Sequence, residues 1–358
     1  MARIVQVIFS QGYGGLEMVV QDFHRWLLIA NLEAFVLVLE GSPIHLTLQK
    51  AGFANSIIAI SNKSYFSKTN YLTNLDSVDT AFLFHHQKNL NILALKKLKG
   101  KVSFLSHTFY KSNKRGFWHR FIFSKVDQWI VLTSTQKLDL SEKCRVPFEK
   151  IYIIPNGVDL KRFKPDTNIK DIKNEIHIAI VARLDPQKGH KLAIKALALL
   201  NKNYGKRIIL HFYGGNTPGE PLIQRQLEIL VNSLNVKAQV RFEGFYEEIE
   251  KVMPHMNILW LTSHKETFGR CLIEAMASGV PIVASRAGGV PDIIIDQFNG
   301  LLFESENPFD LAEKTTRLIE DSKMRENICA NNFHTVCKKY DQEVVTPELL
   351  RSILPAKV

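Results

Sequence analysis

The chain has 358 residues, of which 46% are hydrophobic, so it is long enough for two domains of ordinary size, each with its own core. It contains no run of eighteen apolar residues, which excludes a membrane-spanning helix on sequence grounds. The four cysteines have no disulfide-like or zinc-like spacing, and this favours a reducing, cytoplasmic setting.

The formal net charge of +11 is concentrated in the first half of the chain, where residues 1–160 hold 19 Lys and Arg against 11 Asp and Glu. The segment 96–125 contains nine basic residues, seven aromatic residues and no acidic residue. Such a mixture favours contact with an anionic membrane surface. A nucleic-acid partner is disfavoured, because no nucleic-acid motif accompanies the charge. A solvated basic face over an ordinary aromatic core is the alternative interpretation.

The first half alternates strands with helices. The opening strand, Arg3–Phe9, is too short an apolar run for a signal peptide, and an amphipathic helix is predicted from about Leu16 to Ala30. This alternation predicts a doubly wound α/β domain with a mostly parallel sheet. Further strands are predicted at 34–39, 56–60, 80–84, 102–105, 128–132 and 151–154, and helices at 44–51 and 87–99.

Candidate ligand-binding residues follow three of these strands. Gly14 and Gly15, at a strand-to-helix turn, permit close approach of the backbone to an anion, although a plain tight turn explains them equally well. His85, His86 and His107 stand at the carboxyl ends of two later strands, where open parallel sheets bind their ligands. A structural role is the alternative for His107.

A turn-rich segment, Pro155-Asn-Gly-Val-Asp159, predicts a domain boundary, and a polar connector is predicted at 167–175. The second half then repeats the alternation. Strands are predicted at 176–182, 207–213, 240–242, 257–261 and 300–303. Helices are predicted at 190–200, 221–234, 247–253, 308–321, 322–340 and 341–354, and one starts at Val290.

Two cations, Arg183 and Lys188, follow the first strand of the second half, where they can bracket a diphosphate. Gly214 ends the next strand, and a flexible loop is expected there. Further along, Glu266 lies in a loop at a strand's carboxyl end, and Glu274 lies inside a nearly all-apolar helix. A carboxylate in such a helix is costly to desolvate unless something polar meets it.

The pattern Glu266-x7-Glu274, with the flanking Glu-Thr-Phe-Gly and Glu-Ala-Met-Ala-Ser-Gly-Val-Pro, resembles the signature of retaining glycosyltransferases of family 4, also called group 1. The Gly-Gly-x-Glu segment at Gly14, the Pro-Asn-Gly-Val-Asp segment and the Arg-Leu-x-x-x-Lys-Gly segment at Arg183 are also similar to that family. The resemblance implies the GT-B fold, in which two Rossmann-like doubly wound domains face each other across a cleft. It implies an acceptor-binding domain at 1–160, a donor-binding domain at 161–340, and a last helix at 341–358 that crosses back onto the first domain.

The resemblance also implies the reaction. A sugar would pass from a UDP- or GDP-sugar, uridine being preferred on general frequency, to a hydroxyl of a glycan or glycolipid. Glu266 and His107 would be catalytic, with His86 as the fallback for His107. No metal is expected, because the chain lacks an Asp-x-Asp motif, and no cofactor other than the nucleotide sugar is implied. The implied donor-binding residues are Arg183, Lys188, Glu274, Gly14, Gly15, Gly214 and the backbone of Phe268, Gly269 and Arg270, the last replacing a usual apolar residue.

The charged first half suggests that the acceptor lies at the inner face of the cytoplasmic membrane, as in the biosynthesis of lipopolysaccharide or another surface polysaccharide. Two other classes of function stay open. One is a GT-B enzyme of different chemistry, a phosphorylase or a sugar-nucleotide epimerase. The other is a non-catalytic nucleotide-sugar-binding partner, although the intact Arg183, Lys188, Glu266 and Glu274 argue against it.

Overall fold

A computed structural model describes residues 2–12, 14–61, 65–95, 97–165, 175–217 and 222–355. The chain divides into two compact units, residues 1–156 with 345–358, and residues 157–344. Each unit is built on its own parallel sheet. Most of the connector predicted at 167–175 lies outside the described residues.

The first unit has a seven-stranded parallel sheet in the order β3-β2-β1-β4-β5-β6-β7. Its central strands are largely apolar, because both faces of the sheet are buried: Val5 and Val7 join one apolar cluster, and Ile8 joins another, with the buried Gln6 between them. The strands are β1 Arg3–Ile8, β2 Ala34–Leu39, β3 Ile57–Ile60, β4 Thr80–Phe84, β5 Lys101–Leu105, β6 Gln128–Val131 and β7 Ile151–Ile153.

Helices of the first unit differ from the sequence predictions in two respects. The helix predicted at 87–99 is wrong in type and length, since Gln87–Ala94 forms a 3-10 helix that buries Leu90, Ile92 and Leu93. Three α-helices went unpredicted, namely α3, α4 and α5. The helices are α1 Gly15–Ile29, α2 Pro43–Lys50, α3 Tyr65–Leu75, α4 Phe117–Phe123 and α5 Ser134–Cys144.

The last helix, α12 Gln342–Ile353, is tied to the sheet of the first unit through its C-terminal end. Lys101 Nζ donates to Ser352 O at 2.6 Å and to Leu354 O at 3.1 Å. Gln128 Nε2 donates to Ser352 Oγ at 2.9 Å. Lys101 thus satisfies carbonyls at the end of the helix, which have no partner inside it.

The second unit has a six-stranded parallel sheet in the order β10-β9-β8-β11-β12-β13. The helix expected to start at Val290 is only a 3-10 turn, Val290–Asp292. The strands are β8 Ile176–Val181, β9 Ile208–Tyr213, β10 Val240–Gly244, β11 Ile258–Leu261, β12 Ile282–Ser285 and β13 Leu301–Phe303. The helices are α6 His190–Tyr204, α7 Ile223–Ser233, α8 Ile249–Val252, α9 Arg270–Ala277, α10 Pro308–Glu320 and α11 Ser322–Lys339.

In both units the strand order reverses direction next to the first strand, between β1 and β4 and between β8 and β11. This is the doubly wound α/β arrangement that the alternation of strands and helices predicts. Within the described ranges, every helix falls short of the length and apolarity needed to cross a bilayer. The reversal points direct attention to the loops at the carboxyl ends of β1, β4, β8 and β11.

Candidate active site

The loops after β8 and β11 are pressed together in the second unit. After β8 the chain forms a 3-10 turn, Pro186–Lys188, capped by Asp185, whose Oδ1 accepts from Gln187 N at 2.8 Å. Gly189 follows with a left-handed φ of +71°, and a Cβ there would lie 2.0 Å from Thr262 O. Glycine is therefore required at this position for both its conformation and its lack of a side chain.

Lys188 and Glu266 meet across these two loops. Lys188 Nζ donates to Glu266 Oε2 at 2.7 Å, and both side chains are partly buried. Ser263 Oγ donates to the same carboxylate oxygen at 3.1 Å, and Thr262 Oγ1 donates to Lys188 O at 2.8 Å. Both charges are thus held at fixed positions, where screening by water is weaker than at an open surface.

The end of β12 and the loop after it also contact the segment that carries Glu266. Gly289 N donates to Glu266 O at 2.8 Å, and Ser285 Oγ donates to Ser263 O at 2.6 Å. Gly288 has a φ of +58°, and a Cβ there would lie 2.1 Å from Glu266 O. The Gly288-Gly289 pair therefore fixes the backbone that carries Glu266.

Glu274 is buried on α9, with 4% of its surface exposed. Arg270 Nε lies 3.4 Å from Glu274 Oε1, so an arginine one turn earlier supplies a counter-charge. Burial raises the pKa of the neighbouring Cys271 thiol, and the carboxylates of Glu274 and Glu266 raise it further. Cys271 is therefore an uncharged thiol beside two carboxylates and not a nucleophile.

Other predicted donor-binding residues lie at the same edge of this sheet. Arg183 is exposed just after β8, and within the described residues no ion pair is found for it. Gly214 directly follows β9 and packs against the start of the loop after β8: a Cβ there would lie 2.0 Å from Ala182 O. Phe268 is buried with its ring centroid 5.9 Å from that of Tyr340, so it offers only its backbone to a ligand.

Among the residues that the structure describes, no group of three or more His, Cys, Asp or Glu is arranged to hold a metal ion. The side chains of Arg183, Lys188 and Arg270 bring positive charge to this edge of the second sheet.

The first unit places its predicted glycines at the start of α1. Gly14 precedes the helix in an extended conformation, with a φ of −175°. A Cβ on Gly15 would have no atom of the described residues within 4 Å, so their packing does not require glycine there. Glu17, in the first turn of α1, is buried.

A histidine cluster stands at the carboxyl ends of β4 and β5. His85 is buried, with Nε2 lying 3.0 Å from Gln6 Oε1 and Nδ1 lying 3.3 Å from His107 Nε2. The rings of His85 and His107 are stacked, with centroids 5.6 Å apart. Burial lowers the pKa of His85 well below its usual value, and the neighbouring His107 lowers it further.

His86, the fallback candidate, has a local structural task. Its Nδ1 accepts from Lys88 N at 3.3 Å and so caps the 3-10 helix that follows β4. Burial lowers its pKa, Lys88 lowers it further, and Glu17 acts in the opposite direction. The sequence analysis missed the contributions of Gln6, Thr262 and Ser263. The available signals were the position of Thr262 and Ser263 directly after β11 and the polar side chain of Gln6 inside the otherwise apolar run 4–8 of β1.

Comparison with known proteins shows the family to which this chain belongs. Residues 163–335 match the model of the glycosyl transferases group 1, and residues 13–162 match that of glycosyltransferase family 4. The chain belongs to this glycosyltransferase family.

The chain is 28% identical over 216 residues to the D-inositol 3-phosphate glycosyltransferase of Corynebacterium jeikeium, which covers 57% of this chain and 52% of that protein. It is 27% identical over 233 residues to a glycosyltransferase of Methanocaldococcus jannaschii, covering 62% of this chain and 58% of that protein. The matches thus span a little over half the length of these curated relatives.

Solved structures show the fold. The HepE protein of Anabaena, crystallised in complex with UDP and glucose, matches with a TM-score of 0.84 and 19% identity over 98% of this chain and 99% of that chain. A glycosyltransferase of Rickettsia africae matches with a TM-score of 0.81 and 20% identity, over 98% of this chain and 97% of that chain. The chain therefore has the GT-B fold that the sequence resemblance implies.

The contact between Gly288 and Glu266 generates a prediction about stability. Replacing Gly288 with Ala combines a left-handed φ with a backbone clash, and should lower the free energy of unfolding of the second unit by about 3 kcal/mol or more. Gly244→Ala is the matched control, because Gly244 has a φ of +71° and open space around it. It should cost only about 1–2 kcal/mol. Denaturant titration of the two variants measures both values, and equal losses would show that the clash has no effect.

Proposed function

We propose that the chain is a retaining, metal-independent hexosyltransferase that moves a sugar from a nucleoside diphosphate sugar to a hydroxyl of a glycan or glycolipid. The observation that carries the proposal is the Lys188–Glu266 ion pair of 2.7 Å beside the buried Glu274, at the carboxyl edge of the second sheet. The same edge presents the exposed Arg183 and closely packed glycine loops. In this proposal residues 161–340 bind the donor, and residues 1–160 with 341–358 bind the acceptor.

Arg183 and Lys188 are assigned to the diphosphate of the donor. Negative charge builds on the leaving diphosphate in the transition state, and cations held in place before the reaction stabilise that charge best. Lys188 is held by Glu266 and by the capped turn around it. Gly214 is assigned to the same phosphates, because its backbone packs directly against that of Arg183: a Cβ there would lie 2.9 Å from Arg183 N.

Glu274 is assigned to the ribose of the nucleotide. An ionised carboxylate only accepts hydrogen bonds, so a buried one suits a pair of hydroxyl donors. Its counter-charge, Arg270, is the first residue of α9 and directly follows Gly269. The backbone amides of Phe268, Gly269 and Arg270 therefore lie at the N-terminal end of this helix. Oxygen atoms of the transferred sugar are the ligands proposed for these amides.

Glu266 and His107 are assigned to the reacting sugar and the acceptor hydroxyl. In the front-face mechanism we favour, the acceptor oxygen bonds to the anomeric carbon on the face from which the diphosphate departs. The bond from that carbon to the diphosphate breaks, and a phosphate oxygen takes the proton of the acceptor. In this step Glu266 orients the sugar hydroxyls and forms no covalent bond to the sugar. A covalent glutamyl intermediate would require a second carboxylate that acts as acid and base, as in retaining glycosidases. Gly14 and Gly15 are proposed to approach the donor phosphates and the acceptor.

The proposed site predicts nucleotide binding that depends on Glu274. One nucleoside diphosphate, with UDP preferred, should stabilise the protein by about 2.7 kcal/mol at one hundred times its dissociation constant. The Glu274→Ala variant should show no such gain at the same concentration. Thermal-shift assays with UDP, GDP, ADP and CMP measure this, with Glu228→Ala on the exposed face of α7 as the matched control. Equal stabilisation of Glu274→Ala and the wild type would contradict the assignment.

The acceptor is proposed to lie at the inner face of the cytoplasmic membrane, and α4 supports this. The helix buries Ile122 and Phe123, and it exposes 85% of Phe117, 54% of Trp118 and 40% of Phe121. Lys125 Nζ lies 4.4 Å from the ring centroid of Phe121. The nearby cations Lys111, Arg115 and Arg120 are exposed, and no acidic residue occurs from 96 to 125.

Exposed aromatic rings among cations suit the interface of an anionic bilayer, where rings enter the headgroup region and cations meet lipid phosphates. A lipid-linked acceptor would place this enzyme in the assembly of lipopolysaccharide or another surface polysaccharide. A nucleic acid would use the cations but would leave Phe117 unexplained. The membrane is therefore the partner we propose for the surface formed by α4 and its flanking cations.

The proposed membrane surface predicts that the same change, Phe to Glu, affects vesicle binding at one position and not at another. Phe117→Glu should weaken binding to vesicles of anionic and zwitterionic phospholipid about tenfold, a loss of about 1.4 kcal/mol. Phe309→Glu should leave binding unchanged, since Phe309 is exposed on the second unit. Vesicle sedimentation at low salt measures both, and purely zwitterionic vesicles should bind neither protein. Wild-type protein that fails to sediment with anionic vesicles would overturn the membrane proposal.

A further inference from the structure

We infer that Glu17 and His86 of the first unit bind one hydroxyl group of the acceptor sugar, with the hydroxyl donating to the Glu17 carboxylate and accepting from His86 Nε2–H. This role rests on the proposed function, in which the first unit binds the acceptor. The hydroxyl is one that does not react. Both residues therefore orient the acceptor, and neither takes part in bond formation.

The two side chains belong to the point where the strand order of the first sheet reverses, between β1 and β4. Glu17 is the third residue of α1, the helix that follows β1, and His86 is the second residue after β4. Open parallel sheets bind their ligands in the crevice at such a reversal. A Cβ on Gly15 would have no atom of the described residues within 4 Å, so the start of α1 leaves space for a ligand.

Glu17 is a buried carboxylate without a hydrogen-bonding task in the described part of the chain. Only 7% of its surface is exposed, and within the described ranges no hydrogen bond or ion pair is found for it. The free amides in the first turn of a helix attract a glutamate, but they attract an exposed one equally. Burial of a carboxylate costs free energy that hydrogen-bond donors must offset. A ligand with a donor group would supply this contact.

The proton of His86 is held on Nε2 by the backbone. Lys88 N, which can only donate, lies 3.3 Å from His86 Nδ1, so Nδ1 carries a lone pair. Burial lowers the pKa of His86, Lys88 lowers it further, and Glu17 raises it by less. The ring is therefore neutral at physiological pH, with its single N–H on Nε2. Among the residues that the structure describes, no hydrogen bond is found for that nitrogen.

A donor and an acceptor thus lie near each other without being bonded to each other. Glu17 is close enough for its charge to act on His86, yet these two side chains form neither a hydrogen bond nor an ion pair. A hydroxyl group donates and accepts at once, so one hydroxyl between them would satisfy both. Glu17 would repel an anion, and an ammonium group has no lone pair for His86 Nε2–H. A sugar hydroxyl therefore matches this pair of side chains.

The neighbouring histidine does not compete for this hydroxyl. His85 Nε2 lies 3.0 Å from Gln6 Oε1, and His85 Nδ1 lies 3.3 Å from His107 Nε2, so both of its ring nitrogens have partners. Lys88 is exposed, and it fixes His86 through its backbone amide. The proposed contact is therefore confined to Glu17 and His86.

Replacing Glu17 with Met tests the carboxylate. Because no partner of Glu17 is found in the described chain, the variant should unfold at the wild-type temperature or above it. Its KM for the acceptor should rise about tenfold or more, while kcat changes less than about threefold. Glu149→Met, in the exposed 3-10 turn before β7, is the matched control and should leave KM unchanged. Unfolding of Glu17→Met well below the wild-type temperature would show a structural role and overturn the inference.

The acceptor probes are methyl glycosides of glucose, galactose, mannose and N-acetylglucosamine, with their monodeoxy analogues. Transfer is measured with a nucleotide sugar that the wild type uses. Removal of one particular hydroxyl from the best probe should lower kcat/KM about tenfold with the wild type, but less than about twofold with Glu17→Met, because that hydroxyl is the one Glu17 binds. Equal losses in the two proteins at every deoxy position would contradict the inference.

Two substitutions of His86 separate the ligand contact from the structural one. In His86→Asn the amide oxygen occupies the place of Nδ1 and still accepts from Lys88 N, but no donor remains in the place of Nε2. In His86→Gln the amide nitrogen reaches the place of Nε2, and the contact with Lys88 is lost. We expect the Asn variant to raise the acceptor KM about tenfold and the Gln variant to keep it within about threefold. The reverse order would sink the inference.

Nitrogen-15 NMR of the imidazole rings gives a readout that is independent of turnover. The His86 proton should be found on Nε2, and its exchange with solvent should slow when UDP and the best methyl glycoside are added. The signal is assigned by its loss in His86→Asn. A proton on Nδ1, or an exchange rate that no glycoside changes, would refute the inference.

Turnover also distinguishes failure of this inference from failure of the proposed function. If the wild type transfers sugar to none of the probes and consumes no nucleotide sugar, the proposed function is wrong and the inference falls with it. If the wild type transfers sugar while Glu17→Met and His86→Asn keep its acceptor KM, only the inference is wrong.

Discussion

The ion pair between Lys188 and Glu266 is the interaction around which the second unit's site is arranged. It joins the loops after β8 and β11, on either side of the point where the strand order reverses. A charge taken out of water alone would be strongly destabilising, so each group depends on the other, and Glu266 depends also on the hydroxyl of Ser263. The contact is possible only because Gly189 lets the two backbones approach closely. The position of the Lys188–Glu266 pair therefore depends on the packing of the two loops, on the backbone conformation of Gly189 and on the attraction between the two charges.

This arrangement has a consequence for ligand binding. In the proposed function, a diphosphate would compete with Glu266 for Lys188, and sugar hydroxyls would compete with Lys188 for Glu266. Binding of a nucleotide sugar would then exchange one ion pair for two charge-assisted contacts, with both side chains already in place. Preorganised charge of this kind needs little rearrangement as the leaving diphosphate gains charge. In the first unit, the direction of the His85 imidazole ring is likewise fixed by neighbouring side chains, through hydrogen bonds and not through an ion pair.

Much of the architecture could be predicted from the sequence, because buried parallel strands are continuous apolar runs separated by turn residues. Glu266 and Glu274 could be singled out for the same reason, since a carboxylate in an apolar helix needs an explanation. Contacts between distant residues could not be predicted. Lys188 and Glu266 are 78 positions apart, and Gln6 and His85 are 79 apart.

The short aromatic helix α4 was missed because its exposed rings interrupt the amphipathic pattern that identifies a helix. The segment 87–94 is apolar enough for an α-helix but forms a 3-10 helix capped by His86.

The central claim is that Lys188 acts on the diphosphate and Glu266 on the reacting sugar. Calorimetric titration of the stabilising nucleoside diphosphate into Lys188→Met and Glu266→Gln, alongside donor turnover, tests it most directly. We expect Lys188→Met to weaken diphosphate binding at least tenfold. We expect Glu266→Gln to bind the diphosphate as tightly as the wild type or more tightly, since Lys188 is released, while losing transfer. A Glu266→Gln variant that loses diphosphate binding, or that transfers sugar at nearly the wild-type rate, would contradict the account.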